Sequence, residues 1–299
     1  MIPKIEEVLK CYPIIAIAER AKTGRPGVKT VLNAVSGAKC TLQAAGIKES
    51  EEVTRITRKA IDDALVAFLG RGLSRISAWS YVCQLRAVFA RWCDPYYKDA
   101  GWEIPKIELP TFRARPPRYV RPPAEMLDRV SNWYRRLEGE LWFAATMMLE
   151  FAMRNGDILR LKDENFVEKR DEGSGMGDEC GIRHFLSYTP HKTALSSGRR
   201  VYWPIHDAIW QKFDDYGGLA GLDVVEETFE EINSEMRVIG FRGSKGAYEL
   251  RKICIDHIYQ RFGAEMASSI SGDEIKTITH YYADPAQPNV GAIRVIDLL

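Results

Sequence analysis

The chain has 299 residues, 45% of them hydrophobic, and a formal net charge of +1. This length and composition allow two domains with substantial cores, and the near-neutral total gives no sign of a uniformly basic nucleic-acid-binding protein. No apolar run approaches the length of a membrane span and no signal peptide opens the sequence, so we expect a soluble cytoplasmic protein with no membrane partner.

Charged residues are unevenly distributed along the chain. Residues 71–135 hold twelve Arg and Lys against six Asp and Glu, whereas residues 223–235 hold six acids and no base. This asymmetry fits one basic face on a neutral protein, although an ordinary mixed surface explains the charge equally well.

The six cysteines are widely spaced without a CxxC pair. They predict free thiols in a reducing compartment, and we expect neither a metal nor another cofactor.

The first hundred residues read as four helices. Apolar residues at helical spacing predict helices over the first twenty or so residues, over 28–45 and over 52–69. A fourth helix begins after the N-cap residue Ser74 and reaches Trp92. It carries Arg75, Arg86 and Arg91, which predict either a basic face for DNA phosphates or the solvated side of an ordinary amphipathic helix.

An arginine- and proline-rich stretch over 111–122 cannot continue a helix. Its arginines, with no acid among them, predict an extended linker that tracks a polyanion; a plain interdomain spacer explains the prolines only. The linker separates a helical domain over 1–110 from a second domain over 123–299. The arginines concerned are Arg113, Arg115, Arg118 and Arg121.

The second domain opens with predicted helices over 124–137 and 140–153, the latter strongly apolar. Arg154 at its end requires an anion partner if it is buried, either Asp157 or a ligand phosphate. Residues 166–203 then predict a hairpin with Lys192 in or near its turn. A turn lysine is usually solvated, but this one is also a candidate third cation of an active site. The acidic glycine-rich stretch over 171–179 lacks the lysine of a phosphate loop, so we interpret it as a mobile loop.

Three further helices are predicted over 205–215, 224–239 and 244–262, the last carrying Arg251. Ser271-Gly-Asp273 offers N-cap chemistry for a final helix that ends in the pair Tyr281-Tyr282. A phenol can attack phosphorus and a guanidinium can bind two phosphate oxygens, which together suggest phosphoryl transfer on nucleic acid. The apolar tail over 289–299 predicts a segment that folds back or docks on another protomer.

The order Arg154, Lys192, Tyr248-x-x-Arg251 and Tyr281-Tyr282 resembles the active-site boxes of the tyrosine recombinase (phage integrase) family. The likeness spans roughly residues 50–284. It implies a mainly α protein with a helical core-binding domain, followed by a mixed α/β catalytic domain of helices and a small antiparallel sheet. Two positions depart from the family pattern.

The first departure is Tyr248, which replaces the usual first histidine. In the second, Gly272 or Asp273 stands where another histidine or a tryptophan is expected. Both family positions assist phosphate binding and proton transfer. The departures therefore bear on how fast, or whether, the chain cuts DNA.

The resemblance implies a site-specific DNA recombinase that cuts and rejoins DNA through a 3′-phosphotyrosyl intermediate, for integration, excision or resolution of a mobile element. Arg154 and Arg251 would bind the phosphate, Lys192 would protonate the leaving oxygen, and a tyrosine would attack without metal or ATP. Partners would be double-stranded DNA with specific inverted-repeat sites and three further copies in a homotetramer.

Two questions stay open at this level. Alignment with the family ending favours Tyr282 as nucleophile, whereas helical phase favours Tyr281. Besides an active recombinase, the residues also fit a catalytically impaired DNA-binding or architectural protein, or a topoisomerase IB-like or telomere-resolving enzyme. We favour an active recombinase that uses Tyr282.

Overall fold

A computed structural model describes residues 1–24, 26–108, 119–170, 182–194, 198–243 and 245–282. The chain divides into two units, Met1–Pro116 and Pro117–Leu299. The division falls inside the stretch predicted as a linker. Arg113, Arg115 and Arg118 of this stretch, the acidic loop over 171–179 and the tail over 289–299 lie outside the described residues. No helix among the described residues is long and apolar enough to cross a membrane.

The first unit is helical throughout its regular structure. Its helices are α1 (Ile5–Thr23), α2 (Val28–Ala44), α3 (Arg58–Gly70), α4 (Arg75–Val88) and the short α5 (Asp94–Asp99). Helices α2 and α4 pack closely because Gly37 has no side chain: a Cβ there would lie 2.6 Å from the Cβ of Gln84. The apolar faces of all these helices meet in one core.

Two helices of this unit are shorter than predicted. The segment expected to be helical from residue 52 begins with a 3₁₀ turn, and α3 starts only at Arg58, because the Thr57 side chain caps it by accepting from the Ala60 amide at 3.2 Å. Ser74 caps α4 as predicted, accepting from the Ser77 amide at 3.1 Å. That helix ends at Val88, short of Trp92.

The second unit surrounds an apolar helix with further helices and a small sheet. It contains α6 (Ala124–Tyr134), α7 (Gly139–Leu149), α8 (Asn155–Ile158), α9 (His191–Ala194), α10 (Asp207–Asp215), α11 (Glu226–Ile239), α12 (Gly246–Ser271) and α13 (Ile275–Tyr282). Nearly every residue of α7 is buried, and α11 and α12 pack against it. Helix α12 leaves helical geometry at Gly263, where φ is 84°, next to its predicted end.

Among the described residues, strands β1 (Phe166–Arg170), β2 (Ile182–Tyr188) and β3 (Val201–Ile205) form an antiparallel sheet in that order. Leu186 in the central strand pairs with Phe166 on one side and Trp203 on the other. The short helix α9 lies between β2 and β3, so Lys192 sits in a helical turn and not in a simple hairpin turn. A helical first unit followed by a mostly helical second unit with a small antiparallel sheet is the predicted fold class, which is confirmed.

Candidate active site

A strained turn positions Arg154. Helix α7 ends at Leu149, earlier than predicted, and Ala152 adopts a left-handed backbone with φ 49°. Such a conformation costs an alanine on the order of 1–2 kcal/mol, so the buried surroundings must impose it. Arg154 follows this turn as the residue before α8. The strained backbone at Ala152 therefore helps to set the position of Arg154.

Arg154 and Arg251 converge on one carboxylate. Arg154 donates from Nη2 to Oδ1 of Asp273, and Arg251 donates from Nη2 to Oδ2 of the same residue at 2.5 Å. Arg251 also donates to the carbonyl of Ser271 at 3.2 Å, and its side chain is fully buried within α12. Two arginines 97 positions apart in the chain thus share a single anion.

Asp273 does not serve as predicted. The sequence suggested N-cap chemistry for Ser271-Gly-Asp273, but the last helix begins only at Ile275, and both carboxylate oxygens of Asp273 accept from arginines. The predicted partner of Arg154, Asp157, lies 3.7 Å from its Nη1, which makes an ion pair without a hydrogen bond. Two buried guanidinium groups outcompete a solvent-exposed helix end for the Asp273 carboxylate, since the unpaired charges would otherwise be costly.

Three guanidinium nitrogens of the site make no hydrogen bond to any described residue. Nη1 of Arg154 and both Nε and Nη1 of Arg251 are buried, and in the described part of the chain none of them has a hydrogen-bond acceptor. Buried polar groups in proteins are nearly always hydrogen-bonded, so unsatisfied groups call for an explanation. A guanidinium with free N–H groups can bind an anion with two oxygens, such as a phosphate. The arrangement is therefore suited to receive an additional anion.

Asp157 links the turn of Arg154 to the segment that carries Lys192. Its Oδ1 accepts the backbone N–H of His191 at 2.9 Å. The same segment packs on Gly272, where φ is 66° and an added Cβ would lie 2.7 Å from Cγ of Pro190. Lys192 itself is exposed. The structure thus brings the lysine segment to the loop of Asp273 and leaves the ammonium group in solvent.

Tyr282 lies in an aromatic cluster beside the arginines. Its half-buried ring is 5.2 Å from the ring of Tyr119 and 6.5 Å from that of Tyr259. Burial raises the pKa of the Tyr282 phenol; neighbouring Tyr248 and Asp273 raise it further, and Arg251 lowers it. The Tyr281 ring instead meets His280 edge-on at 5.4 Å. Of the two candidate nucleophiles, Tyr282 is the one whose hydroxyl feels the charges of the arginine cluster.

Tyr248 stands one helical turn before Arg251 in α12. Its side chain is 37% exposed, and the ammonium group of Lys252 lies 5.7 Å from its ring centroid. Its phenol is close enough to raise the pKa of both Arg251 and Tyr282. Tyr248 therefore borders the cluster from the solvent side.

The predicted DNA-binding arginines have different surroundings. Arg75, Arg86 and Arg91 are exposed in the first unit, at the two ends of α4 and just beyond it. Arg121 is instead engaged within the second unit, where Nε donates to Oδ2 of Asp256 at 2.7 Å and Nη2 donates to Oδ1 at 3.3 Å. In this structure Arg121 fastens the segment before α6 to α12.

Sequence reasoning missed two residues of this site. Asp273 was noted only as a departure from a family pattern and as capping chemistry, because its arginine partners are distant in the chain. Tyr188, the last residue of β2, was not considered. Its buried hydroxyl has no hydrogen-bond partner in the described residues; burial raises its pKa, and the charges of Arg251, Asp157, Arg154 and Asp273 also act on it. An isolated tyrosine at a strand end carries no signal for this role.

No protein-family model matches the sequence, and no curated protein matches it either. Solved structures do resemble the fold. A lambda integrase tetramer bound to a Holliday junction has TM-score 0.67 and 16% identity, over 96% of this chain and 79% of that one. A lambda integrase dimer on a COC′ core site has TM-score 0.65 and 16% identity, over 96% and 98%. XerH recombinase bound to difH before cleavage has TM-score 0.59 and 12% identity, over 95% of each chain. The chain therefore has the tyrosine recombinase fold.

Proposed function

We propose that the chain is a site-specific DNA recombinase that cuts and rejoins DNA through a 3′-phosphotyrosyl intermediate. The observation that carries this proposal is the convergence of Arg154 and Arg251 on one anion beside Tyr282, with three buried guanidinium nitrogens that have no hydrogen-bond acceptor among the described residues. The fold shared with recombinases bound to DNA supports it. Integration, excision or resolution of a mobile element in the cytoplasm is the setting we infer.

In the proposed reaction the Tyr282 oxygen attacks phosphorus, and the bond from phosphorus to the 5′ oxygen breaks. Arg154 and Arg251 bind the two non-bridging oxygens and stabilise the charge that develops on them. Burial raises the pKa of Tyr282, so the phenol is protonated before attack and releases its proton to water as the bond to phosphorus forms. The resulting phosphotyrosyl ester conserves the phosphodiester, so a DNA 5′-hydroxyl can reverse the step on the same or another strand.

Lys192 is the proposed general acid. The segment that carries it is tied through the His191 amide to Asp157, in the turn that follows Arg154. From there an ammonium group could protonate the departing 5′ oxygen. We expect Lys192→Ala to slow cleavage of ordinary DNA, and a substrate with a 5′-phosphorothiolate to restore the rate, since a thiolate leaves without a proton. Equal slowing on both substrates would exclude Lys192 as the acid.

DNA phosphates would be contacted by the arginines predicted for this purpose. Arg75 and Arg86 are eleven positions apart, about three helical turns, so they lie on the same side of α4. Arg91 follows just beyond that helix. Affinity for duplex DNA should fall steeply with salt, because each phosphate contact releases counterions. Arg86→Ala should reduce the slope of affinity against salt by about one.

We also propose assembly as a homotetramer on two DNA sites with inverted repeats. The similar lambda integrase structures contain a tetramer on a Holliday junction and a dimer on a core site. Two protomers related by a twofold axis present equal surfaces to two half-sites, which favours inverted repeats. Analytical ultracentrifugation with a selected site would show two protomers per site and four on a paired junction.

A DNA-binding protein that has lost cleavage is the second candidate. The observation that favours it is Asp273 itself, because the carboxylate occupies donors from both arginines that a phosphate would need. Such a protein would bind specific sites and hold them in a fixed geometry without a covalent step. Covalent capture of DNA separates the two candidates.

The deciding experiment uses a pool of duplexes with randomised sequence and a nick near the centre, so that the short strand released with a 5′-hydroxyl diffuses away after cleavage. The protein is incubated with the pool and denatured, and DNA attached to protein is sequenced. An active recombinase yields an enriched sequence and an adduct on Tyr282; Tyr282→Phe abolishes it and Tyr281→Phe keeps it. Retention of specific DNA without any adduct would favour the binding protein. Relaxation of supercoiled plasmids without recombination of paired sites would indicate a topoisomerase-like activity.

A further inference from the structure

The backbone of the loop from Ser271 to Asp273 fixes the position of the Asp273 carboxylate. Gly272 takes a left-handed φ of 66° as the C-cap of α12, which turns the chain sharply toward the arginines. The Asp273 carbonyl accepts from Oγ of Ser268 at 2.6 Å, and its amide donates to Oγ of Ser271 at 3.2 Å. The main-chain amide and carbonyl of Asp273 are thus both bonded to serine side chains at the end of α12. The side chain is presented to the arginines by a fixed support.

The carboxylate has the chemistry of the anion that the arginines are proposed to bind. A carboxylate and a phosphodiester each present two oxygens that share one negative charge to a guanidinium. Asp273 offers one oxygen to each arginine, as the two non-bridging oxygens of a phosphate would. It is smaller than a phosphate and leaves Nη1 of Arg154 and Nε and Nη1 of Arg251 without an acceptor.

We propose that Asp273 is an internal competitor for phosphate, which holds the arginine pair until an anion with more contacts replaces it. The identity of that anion as DNA rests on the proposed function; the competition itself does not. An incoming phosphate takes over the Nη2 groups of both arginines and gains the donors that Asp273 leaves unpaired. A lone phosphate makes this exchange only at high concentration, whereas a phosphate within a bound duplex is held in place by the rest of the DNA. Asp273 thereby restricts the arginine pair to anions on DNA that is already engaged.

Inorganic phosphate tests the competition without any DNA. The full chain and its Asp273→Asn variant are titrated with phosphate, with chloride at matched ionic strength as reference, and thermal unfolding is followed. The variant keeps the shape of the side chain and removes its charge. We expect Asp273→Asn to unfold at a lower temperature in chloride and to be restabilised by phosphate. Its phosphate affinity should exceed that of the unaltered chain by about tenfold or more, as expected for one charge-assisted hydrogen bond.

Asp256→Asn is the matched control. It removes the charge from a separate arginine–aspartate pair of the second unit, in which Asp256 binds one arginine, Arg121, and accepts from Gln260. It should lower the unfolding temperature without creating a phosphate response. Adding Arg154→Ala to Asp273→Asn should abolish the gained response. Equal phosphate affinity in Asp273→Asn and the unaltered chain, or an equal gain in Asp256→Asn, would overturn the proposal.

A second measurement covers the case in which Asp273→Asn does not fold in either salt. Nitrogen-15 spectra of the unaltered chain report the Nε–H group of Arg251, which lacks an acceptor in the described structure. High phosphate should shift this resonance saturably and chloride should not; absence of a shift would contradict the exchange. None of these readouts involves cleavage. These measurements therefore test the competition between Asp273 and phosphate even if the adduct assay shows no cleavage.

Discussion

Two arginine–aspartate sites of the second unit differ in how many arginines bind each carboxylate. Arg121 and Asp256 form a pair of one guanidinium and one carboxylate, joined by hydrogen bonds of 2.7 and 3.3 Å. At the other site Asp273 is shared between Arg154 and Arg251. The Arg121 side chain is 24% exposed and that of Arg251 is 0% exposed. The more deeply buried arginine, Arg251, is therefore the one with N–H groups that lack an acceptor in the described residues.

Burial and charge alone do not separate a structural ion pair from a binding site. Asp157 and Asp273 together supply as many charges as Arg154 and Arg251, so the buried cluster is nearly neutral. The difference lies in hydrogen bonds, since three of its guanidinium nitrogens lack an acceptor in the described residues. A structural site gains nothing from such donors, whereas a site that binds an anion needs them.

The largest expected effect is the contrast between Arg251→Ala and Arg121→Ala. Removal of Arg251, whose side chain is 0% exposed, breaks a buried ion pair and leaves Asp273 without one partner, so the free energy of unfolding should fall by ~3–5 kcal/mol. Cleavage should fall ~10²-fold or more, as for loss of an oxyanion stabiliser. Arg121→Ala should cost only about 1–2 kcal/mol, because the Arg121 side chain is 24% exposed and Gln260 still donates to Asp256 at 3.3 Å. Urea unfolding and the adduct assay measure both effects.

Arg251→Lys sharpens this contrast. It keeps the positive charge and loses the fork of donors, so stability should be partly restored and cleavage should stay low. If Arg251→Lys recovered both equally, charge alone would account for the site. Arg154→Ala should lose cleavage to a similar degree as Arg251→Ala.

Glu150 is another carboxyl group of the second unit, and in the described residues its buried Oε1 has no hydrogen-bond partner. Burial raises the pKa of Glu150 to about 7. The folded state therefore keeps this proton at a pH where the unfolded state has lost it. The contribution of Glu150 to stability should be greatest below about pH 4.5 and fall as pH rises to about 7, by on the order of 3 kcal/mol.

Glu150→Gln should remove most of that pH dependence and stabilise the protein at pH 8. Unfolding in urea at pH 5 and pH 8 measures the difference for the variant and the unaltered chain. An unchanged slope of stability against pH in Glu150→Gln would mean that another group carries it. Arg251→Ala should leave the slope in place, which separates this carboxyl from the arginine cluster.

Much of the fold followed from local patterns in the sequence. Helical periodicity and the Ser74 cap placed α4 correctly at its start, and the apolar run over 140–153 located α7. Both helices end earlier than predicted. The apolar residues after Leu149 are buried by the strained turn at Ala152, where tertiary packing overrides helical periodicity. Periodicity reports which residues are buried, and it does not report where the backbone turns.

The site was predictable only as a set of separate residues. Arginine, lysine and tyrosine at the right order indicated a shared chemistry, but their partners come from distant segments. The link between Asp157 and the His191 amide joins a carboxylate to a main-chain group, and no side-chain pattern encodes it. The bidentate contact of Arg121 with Asp256 likewise spans 135 positions. Because Asp256 is so distant in the sequence, Arg121 was predicted to contact a polyanion together with the other arginines of its stretch.

Asp157→Ala tests whether the turn of Arg154 positions Lys192. Loss of the carboxylate frees the His191 amide, so the lysine segment should move while Arg154 keeps Asp273 as partner. We expect cleavage to slow about tenfold, the size of a modest misplacement of a catalytic group. A 5′-phosphorothiolate substrate should recover most of this loss if the effect passes through Lys192. Asp157→Asn, which can still accept from the amide, should lose less; equal losses in both variants would rule out this hydrogen bond.

The smallest expected effect distinguishes two buried tyrosine hydroxyls. Tyr134 shares a hydrogen bond of 2.8 Å with Thr146 in the core, whereas the hydroxyl of Tyr188 has no partner among the described residues. Tyr134→Phe should therefore cost about 1 kcal/mol of stability and leave cleavage unchanged. Tyr188→Phe should leave the free energy of unfolding unchanged within about 0.5 kcal/mol, since it removes a polar atom that gains nothing from burial. If that hydroxyl donates to the bound phosphate, Tyr188→Phe should also slow adduct formation several-fold. If Tyr188→Phe were as destabilised as Tyr134→Phe, the Tyr188 hydroxyl would already have a hydrogen-bond partner. It would then not be available as a donor to a phosphate bound by Arg154 and Arg251.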